Sequence, residues 1–198
     1  MSLREQKKAE TRATILAAAR TLFSARGFDS TTIDEVCRAS RVSRRTFFRY
    51  FDSKEGLVFP NREARLARFR RYVEARGPDE SVFERLSSAT ATFAAEYTAH
   101  REPMLASQEM VNTSSRLLAR ERAIDYEWER ALEAAFATEA PDSEKGRRHA
   151  RVLAGATIGV IRATMRYWFS EEGAHEDLYA LGRDALASLQ NGFRLEPE

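Results

Sequence analysis

Three arginines, three aromatics and two hydroxyl side chains crowd the eight residues Ser43-Arg44-Arg45-Thr46-Phe47-Phe48-Arg49-Tyr50. A guanidinium can donate two parallel hydrogen bonds to O6 and N7 of guanine, and hydroxyls can bond base edges or phosphates. The polar half of this set therefore suits the major groove of duplex DNA, while the aromatic half suits a small core. Helical geometry separates the two. At about 100° per residue with Arg44 at zero, Phe47 and Phe51 fall near ~300° and ~340°, and Arg45, Arg49 and Thr46 near ~100°, ~140° and ~200°. Phe47 and Phe51 are expected to pack with Leu22, Ile33, Val36 and Val42, leaving Arg45, Thr46 and Arg49 on the opposite face.

The elements that must hold this face are all helices. Ala, Leu, Arg and Glu dominate the chain, and no stretch alternates as a strand does. A first helix is expected over about residues 5–26, with Ile15, Ala19, Leu22 and Phe23 as its apolar stripe and Gly27 as its left-handed stop. Thr31 or Thr32 caps a short second helix, with Asp34 and Glu35 in its first turn. Ala39-Ser40-Arg41 makes a tight turn and Ser43 caps the third helix. This is the pattern of a helix-turn-helix. The N-termini at Thr32 and Ser43 offer free N–H groups to phosphates. Asp52 or Ser53 caps a fourth helix over about 53–76, which Pro60 should kink or split near Phe59. Gly77-Pro78 marks a boundary. Further helices are expected at about 80–99, 102–112, 115–139, 143–171 and 175–192.

Charge agrees with a DNA-facing head. The net charge is only +2, but residues 1–50 carry eleven Lys/Arg against five acids, so the remainder is net acidic. A basic head on an acidic body is the footprint of a polyanion partner. The single cysteine, Cys37, cannot form an intrachain disulfide and reads as a small core residue. With no signal peptide and no apolar run long enough to span a bilayer, a cytoplasmic protein is expected.

Residues about 11–57 resemble the DNA-binding domain of the TetR family of bacterial repressors. The resemblance rests on Ile15-Leu16-Ala17-Ala18-Ala19, Leu22-Phe23, Arg26-Gly27-Phe28, Thr31-Thr32-Ile33, Val42-Ser43 and the run Phe47 to Leu57. It implies an all-α homodimer: a DNA-binding helix-turn-helix head at 1–52, a connecting helix at 53–77, and a helical-bundle body at 78–198 for ligand binding and dimerisation. It further implies a repressor that binds an inverted-repeat operator in double-stranded DNA and is released by a small hydrophobic ligand. Phosphate contacts carry over to Thr32, Phe48, Tyr50 and Lys54, and base-reading positions to Ser43, Arg44, Arg45 and Thr46, with Arg49 on the same outward face. Two positions depart from the family. Phe48 stands where tyrosine is usual, so Tyr50 supplies the hydroxyl; Ser40-Arg41 replaces Ala-Gly, so a positive φ at Arg41 would be strained.

In the body, the stretch 143–171 is apolar on two sides. It is expected to form a four-helix dimer interface with the last helix, through Ala156, Gly159, Val160, Leu178, Leu181, Ala185 and Leu189. Phe93, Tyr97, Met104, Met110, Tyr126, Trp128, Phe136, Arg162 and Met165 are candidates for a pocket, Arg162 as a buried partner for an acidic end group. The run Arg45–Phe51 and the acidic stretch 121–136 resemble actinobacterial members of the family that bind acyl-CoA-like ligands, which implies a hydrophobic anion as ligand. No cofactor or metal site is expected: only Glu172-Gly173-Ala174-His175 matches a Glu-x-x-His unit, and His100 and His149 have no partner at ligand spacing. No phosphate loop or nucleophile elbow occurs, so no catalytic residue is assigned. The competing reading is a helical small-molecule-binding or hydrolytic protein whose basic head has another role.

Overall fold

The computed structural model describes residues 2–75 and 80–192, and all regular structure among them is helical. The helices are α1 (Leu3–Arg26), α2 (Ile33–Ala39), α3 (Arg44–Phe48), α4 (Arg62–Glu74), α5 (Val82–Ala99), α6 (Arg101–Thr113), α7 (Ser115–Ala137), α8 (Glu144–Phe169) and α9 (Leu178–Asn191), with a 3-10 turn at Glu55–Leu57. The boundary expected at Gly77-Pro78 lies outside the described residues. The chain divides into two compact units, one made of residues 1–62 with 106–121, the other of 63–105 with 122–198.

The first unit is built on α1, α2 and α3. Ile15, Ala19 and Phe23 of α1 bury against Val36, Phe47 and Phe51, with Leu22, Ile33 and Val42 at the margin. This is the core anticipated from helical spacing. Val111 and Leu117 join it, so the ends of α6 and α7 complete a core that short helices could not close alone. Ser114 donates to the Asp29 carboxylate at 3.1 Å, and Arg116 pairs with Glu55.

Backbone chemistry sets the turns. Gly27 stops α1 at φ 83° and ψ 162°, which is extended on the positive-φ side and not the left-handed helical cap expected; only glycine enters this region freely. Arg41 does take a positive φ, 54°, a conformation that costs a non-glycine residue about 1 kcal/mol or more. Hydrogen bonds on both sides hold it there. Ser40 Oγ donates to Val36 O at 2.6 Å, and Val42 N–H donates to Cys37 O at 3.0 Å.

The helix expected over about 53–76, with Pro60 to kink or split it near Phe59, is split there, and only a 3-10 turn forms before the split. After the 3-10 turn the chain breaks at Val58–Asn61, with Asn61 at φ 64°, and α4 starts at Arg62. Pro60 accounts for the split, having no N–H to give and excluding helical geometry at Phe59. In the second unit α9 packs on α5 and α8. Its core gathers Phe69, Val73, Val82, Leu86, Leu132, Phe136, Ala150, Ala154 and Ile158. Residues 170–177 form a turn, so α8 and α9 are both shorter than expected, and the Glu172–His175 segment is not helical.

Candidate nucleic-acid interface

The outward face of α3 is assembled locally. Ser43 caps the helix by accepting Thr46 N–H at 3.1 Å, and the two hydroxyls meet at 3.0 Å. Phe47 is fully buried and Phe51 is 5% exposed, whereas Phe48 is 47% exposed and stands edge-on to Phe47 with ring centroids 5.3 Å apart. The expected separation of aromatic core from polar face therefore holds, with Phe48 and half-buried Tyr50 at the rim.

The cations on this face differ in their freedom. Arg44 pairs with Asp34 at 2.6 Å and lies over the Phe48 ring. Arg49 lies 5.1 Å over the Tyr50 ring and reaches the Tyr50 hydroxyl at 3.4 Å. Arg45 makes no side-chain hydrogen bond, ion pair or ring contact with the described residues, so its whole donor fork points outward. Arg38 and Arg41 are likewise unengaged. Burial pushes the Tyr50 phenol up, but hydrogen bonds from Arg49 and Thr11 and the charges of Arg49 and Lys8 outweigh it and leave the pKa lowered.

Two of the expected phosphate contacts are engaged inside the protein. Lys54 turns its ammonium inward, donating to the carbonyls of Phe28 and Thr31 at 2.8 Å each and of Asp29 at 3.4 Å, above the Phe28 ring at 4.1 Å. It ties down the loop between α1 and α2. Thr32 does cap α2, but its N–H and hydroxyl both donate to the Glu35 carboxylate, at 2.8 and 2.7 Å. Glu35 also pairs with Arg26 at 2.9 Å. The Thr32 hydroxyl and backbone, ahead of a smaller contribution from Arg26, hold the Glu35 pKa down to about 2. The spacing Thr32-Ile33-Asp34-Glu35 is the capping-box signature, a signal for this helix start that is present in the sequence.

The pocket candidates do not gather as one set. Phe93 and Trp128 close over Phe69 in the second unit's core, with Trp128 at 4.5 Å from Phe69. Phe136 is buried there too. Tyr97 and Met165 pack with Trp168 and Ala94, and Met104 is half-buried. Met110 belongs to the first unit's core, and Tyr126 is 60% exposed. Arg162, expected to be buried, is partly exposed and paired with Asp125 at 2.9 Å. Among the described residues it is Arg85 that is buried, 5% exposed and donating to Glu80 O and Glu139. A hollow of about 220 Å³ is lined by Val73, Glu74, Ala134, Ala135 and Thr138, none of them a candidate.

Of the dimer candidates, Leu178 is 6% exposed within its own unit, beside Trp168, with Leu181 packed against that cluster. Ala156, Val160, Ala185 and Leu189 are half-buried, and Gly159 is exposed with open space beyond it. At about 100° per residue, Val152, Ala156, Gly159, Val160, Ala163 and Tyr167 fall within one arc of ~100° on α8. Val152 is 63% and Tyr167 39% exposed, so α8 keeps an outward apolar stripe beside its buried face of Ala150, Ala154, Thr157 and Ile158.

The short core-backed helix, the tight turn before it and the exposed arginine face define a helix-turn-helix protein. Residues 15–59 match the family described as bacterial regulatory proteins, tetR family. The TcmR transcriptional regulator of Streptomyces glaucescens is 34% identical over 87 residues, 44% of this chain and 38% of that protein. The UidR regulator of Escherichia coli is 40% identical over 68 residues, 32% of this chain and 35% of that protein. The chain thus matches only a little over a third of the length of these relatives. Over nearly the full length, the fold is similar to that of Thermus thermophilus FadR, a TetR-family repressor solved with lauroyl-CoA: TM-score 0.57, 23% identity, 94% of this chain and 97% of that one. Over residues 15–59 the chain thus carries a helix-turn-helix domain of the kind described for the tetR family of bacterial regulatory proteins.

Proposed function

We propose that this protein is a cytoplasmic repressor that binds an inverted-repeat operator as a homodimer and leaves it when a small hydrophobic ligand occupies the body. The observation that carries the reading is the division of α3: Phe47 anchors it in the core while Arg45 faces out with no internal partner. An arginine free to form two bonds to a guanine edge is the commonest specific contact in the major groove. Dimerisation rests on the exposed apolar stripe of α8, which a second copy would cover. The ligand assignment, an acyl-CoA-like hydrophobic anion, draws on the family resemblance and on the ligand named for Thermus thermophilus FadR. The head then comprises the first unit's α1–α3 and the body the helices from α5 onward.

Selection from a random pool of double-stranded DNA at moderate salt tests the reading. Enrichment of an inverted repeat is the expected result, because two copies of α3 on a two-fold axis read matching half-sites. Folded protein that enriches no sequence would overturn it.

A further inference from the structure

Resting on the proposed reading of DNA, we propose that the first three turns of α1 form a second contact to the duplex, a cationic rail for the phosphate backbone beside α3. Arg4, Lys8 and Arg12 recur at every fourth residue of α1. At about 100° per residue they share one arc with Ile15, Ala19 and Phe23. From Ile15 onward that arc is the core: Ile15 is fully buried, Ala19 1% and Phe23 3% exposed. Before Ile15 the same arc is basic, and residues 2–10 are all exposed. The helix therefore runs about three turns past the core that justifies it, and its core-side stripe changes there from apolar to cationic.

The overhang is joined to the α3 face. The Arg12 guanidinium lies 5.2 Å over the ring of Phe51. Thr11, whose hydroxyl donates to Lys7 O at 2.9 Å, and the Lys8 charge both act on the Tyr50 hydroxyl, the group that Arg49 reaches at 3.4 Å. Arg12, Lys8 and Arg4 thus form one row along α1, with Tyr50 and Arg49 beside its Arg12–Lys8 end. From Arg12 to Arg4 the row extends ~12 Å at the helical rise, three to four steps of the ~3.4 Å spacing between charges on one DNA strand.

Acidic neighbours do not cancel it. Glu5 falls near this arc, but its carboxylate accepts the Ser2 N–H at 2.7 Å in the capping box, and Glu10 lies on the far side of the helix. Because that cap already engages the end of the helix, the rail consists of side-chain cations and not of free backbone N–H groups. The side chains of Arg4, Lys7 and Lys8 make no hydrogen bond or ion pair with the described residues. Arg and Lys side chains that touch only phosphates carry no sequence information, so the rail adds affinity and orientation while α3 supplies specificity.

Titration of duplex DNA over a salt series separates the possibilities. The wild type, the double variant Arg4→Ala with Lys8→Ala, and Arg45→Ala are each bound to the selected site and to random-sequence duplex. Both rail positions are exposed on a helix, where alanine is the best helix former, so folding is retained and a thermal melt verifies it. With two phosphate contacts removed, the slope of log K against log salt becomes shallower by about 1.8. Affinity drops by the same factor on both duplexes, and their ratio stays as in the wild type. Lys8→Arg keeps the wild-type slope. If the double variant keeps the wild-type affinity and slope while Arg45→Ala loses its preferred site, the rail is overturned and the α3 reading stands. If the wild type binds neither duplex, both are overturned.

Discussion

Arginine beside an aromatic ring occurs in both units, and the two put it to different uses. In the second unit the Arg68 guanidinium lies 4.8 Å over Phe93 and pairs with Glu96. Arg101 lies 5.1 Å over Trp168 and donates to its carbonyl at 3.0 Å. Arg85 is almost wholly buried against Glu80 O and Glu139. The Nε atoms of all three are buried without an acceptor. These cations are part of the packing. In the first unit, α3 sends Phe47 inward and Arg45 outward, so ring and cation are two residues apart in sequence and on opposite faces. Composition alone does not distinguish a reading arginine from a packing one. The distinction lies in whether the guanidinium ends in a pair or stays solvated, because a buried charge must be paired and a solvated one keeps its donors for a partner.

The largest test of this contrast removes the inward half of α3. Phe47 is fully buried among Ile15, Val36 and Phe51. Phe47→Ala is expected to cost about 3–5 kcal/mol through lost burial and a cavity. Denaturant titration should show the loss, and DNA binding should fail along with folding of the head. A loss under 1 kcal/mol would mean that α3 is not anchored by its aromatic face.

Lys54, like the cations of the second unit, gives its donors to groups inside the protein. Lys54→Met keeps the stem but removes the donors to Phe28 O and Thr31 O, and about 1.5–3 kcal/mol of stability is expected to go with them. Chemical denaturation measures this directly. At a temperature where the variant is still folded, its DNA affinity and salt slope should match the wild type. A stable variant whose salt slope fell by about 0.9 would instead identify Lys54 as a phosphate contact.

Arg45→Ala probes the opposite case. Stability should change by less than about 0.5 kcal/mol, as at other exposed positions without internal contacts. Binding to the preferred site should weaken by about 1–3 kcal/mol, with specificity blurred at one base pair of each half-site. Competition titrations against single-base variants of the site give that readout. Uniform weakening on every sequence would recast Arg45 as a phosphate contact.

What the sequence made visible was whatever depends on near neighbours. The cap at Ser43, the cap at Thr31 or Thr32, the split at Pro60 and the inward turn of Phe47 all follow from residues within a few positions of one another, whereas the positive φ at Arg41 was implied only by the family resemblance. Contacts that span long stretches of chain were not visible. Lys54 reads as an exposed cation until Phe28 O and Thr31 O, 26 and 23 residues away, are found above it. Arg85 sits on the buried side of α5 because Glu139 meets it from 54 residues away, while Arg162, chosen for its apolar surroundings on α8, finds Asp125 at a partly exposed site. The pocket candidates scattered for the same reason: an aromatic or methionine at helical spacing is marked as inward, but not as lining a cavity or filling a core.

The smallest expected effect compares two caps of the same design. Thr32/Glu35 begins α2 in the first unit and Ser81/Glu84 begins α5 in the second. Both carboxylates are held below their ordinary value of 4.5, each chiefly by hydrogen bonds from its own cap residue, but Glu35 has Arg26 in addition and reaches about 2. A carboxylate with a depressed folded pKa stabilises the native state above its unfolded pKa, and that contribution is lost as pH falls through the folded value. The Glu35 contribution should therefore be complete above about pH 4.5 and fade between there and about pH 2. Glu35→Gln is expected to be less stable than the wild type at neutral pH, and the difference should shrink across that window. Denaturant titrations of both proteins from pH 6 downward measure it, with Glu84→Gln as the reference for a cap that lacks the arginine. High salt should narrow the gap between the two caps, because it screens the Arg26 pair and leaves the hydrogen bonds in place. A Glu35→Gln difference that stayed constant with pH would show that the carboxylate charge contributes nothing to holding the start of α2.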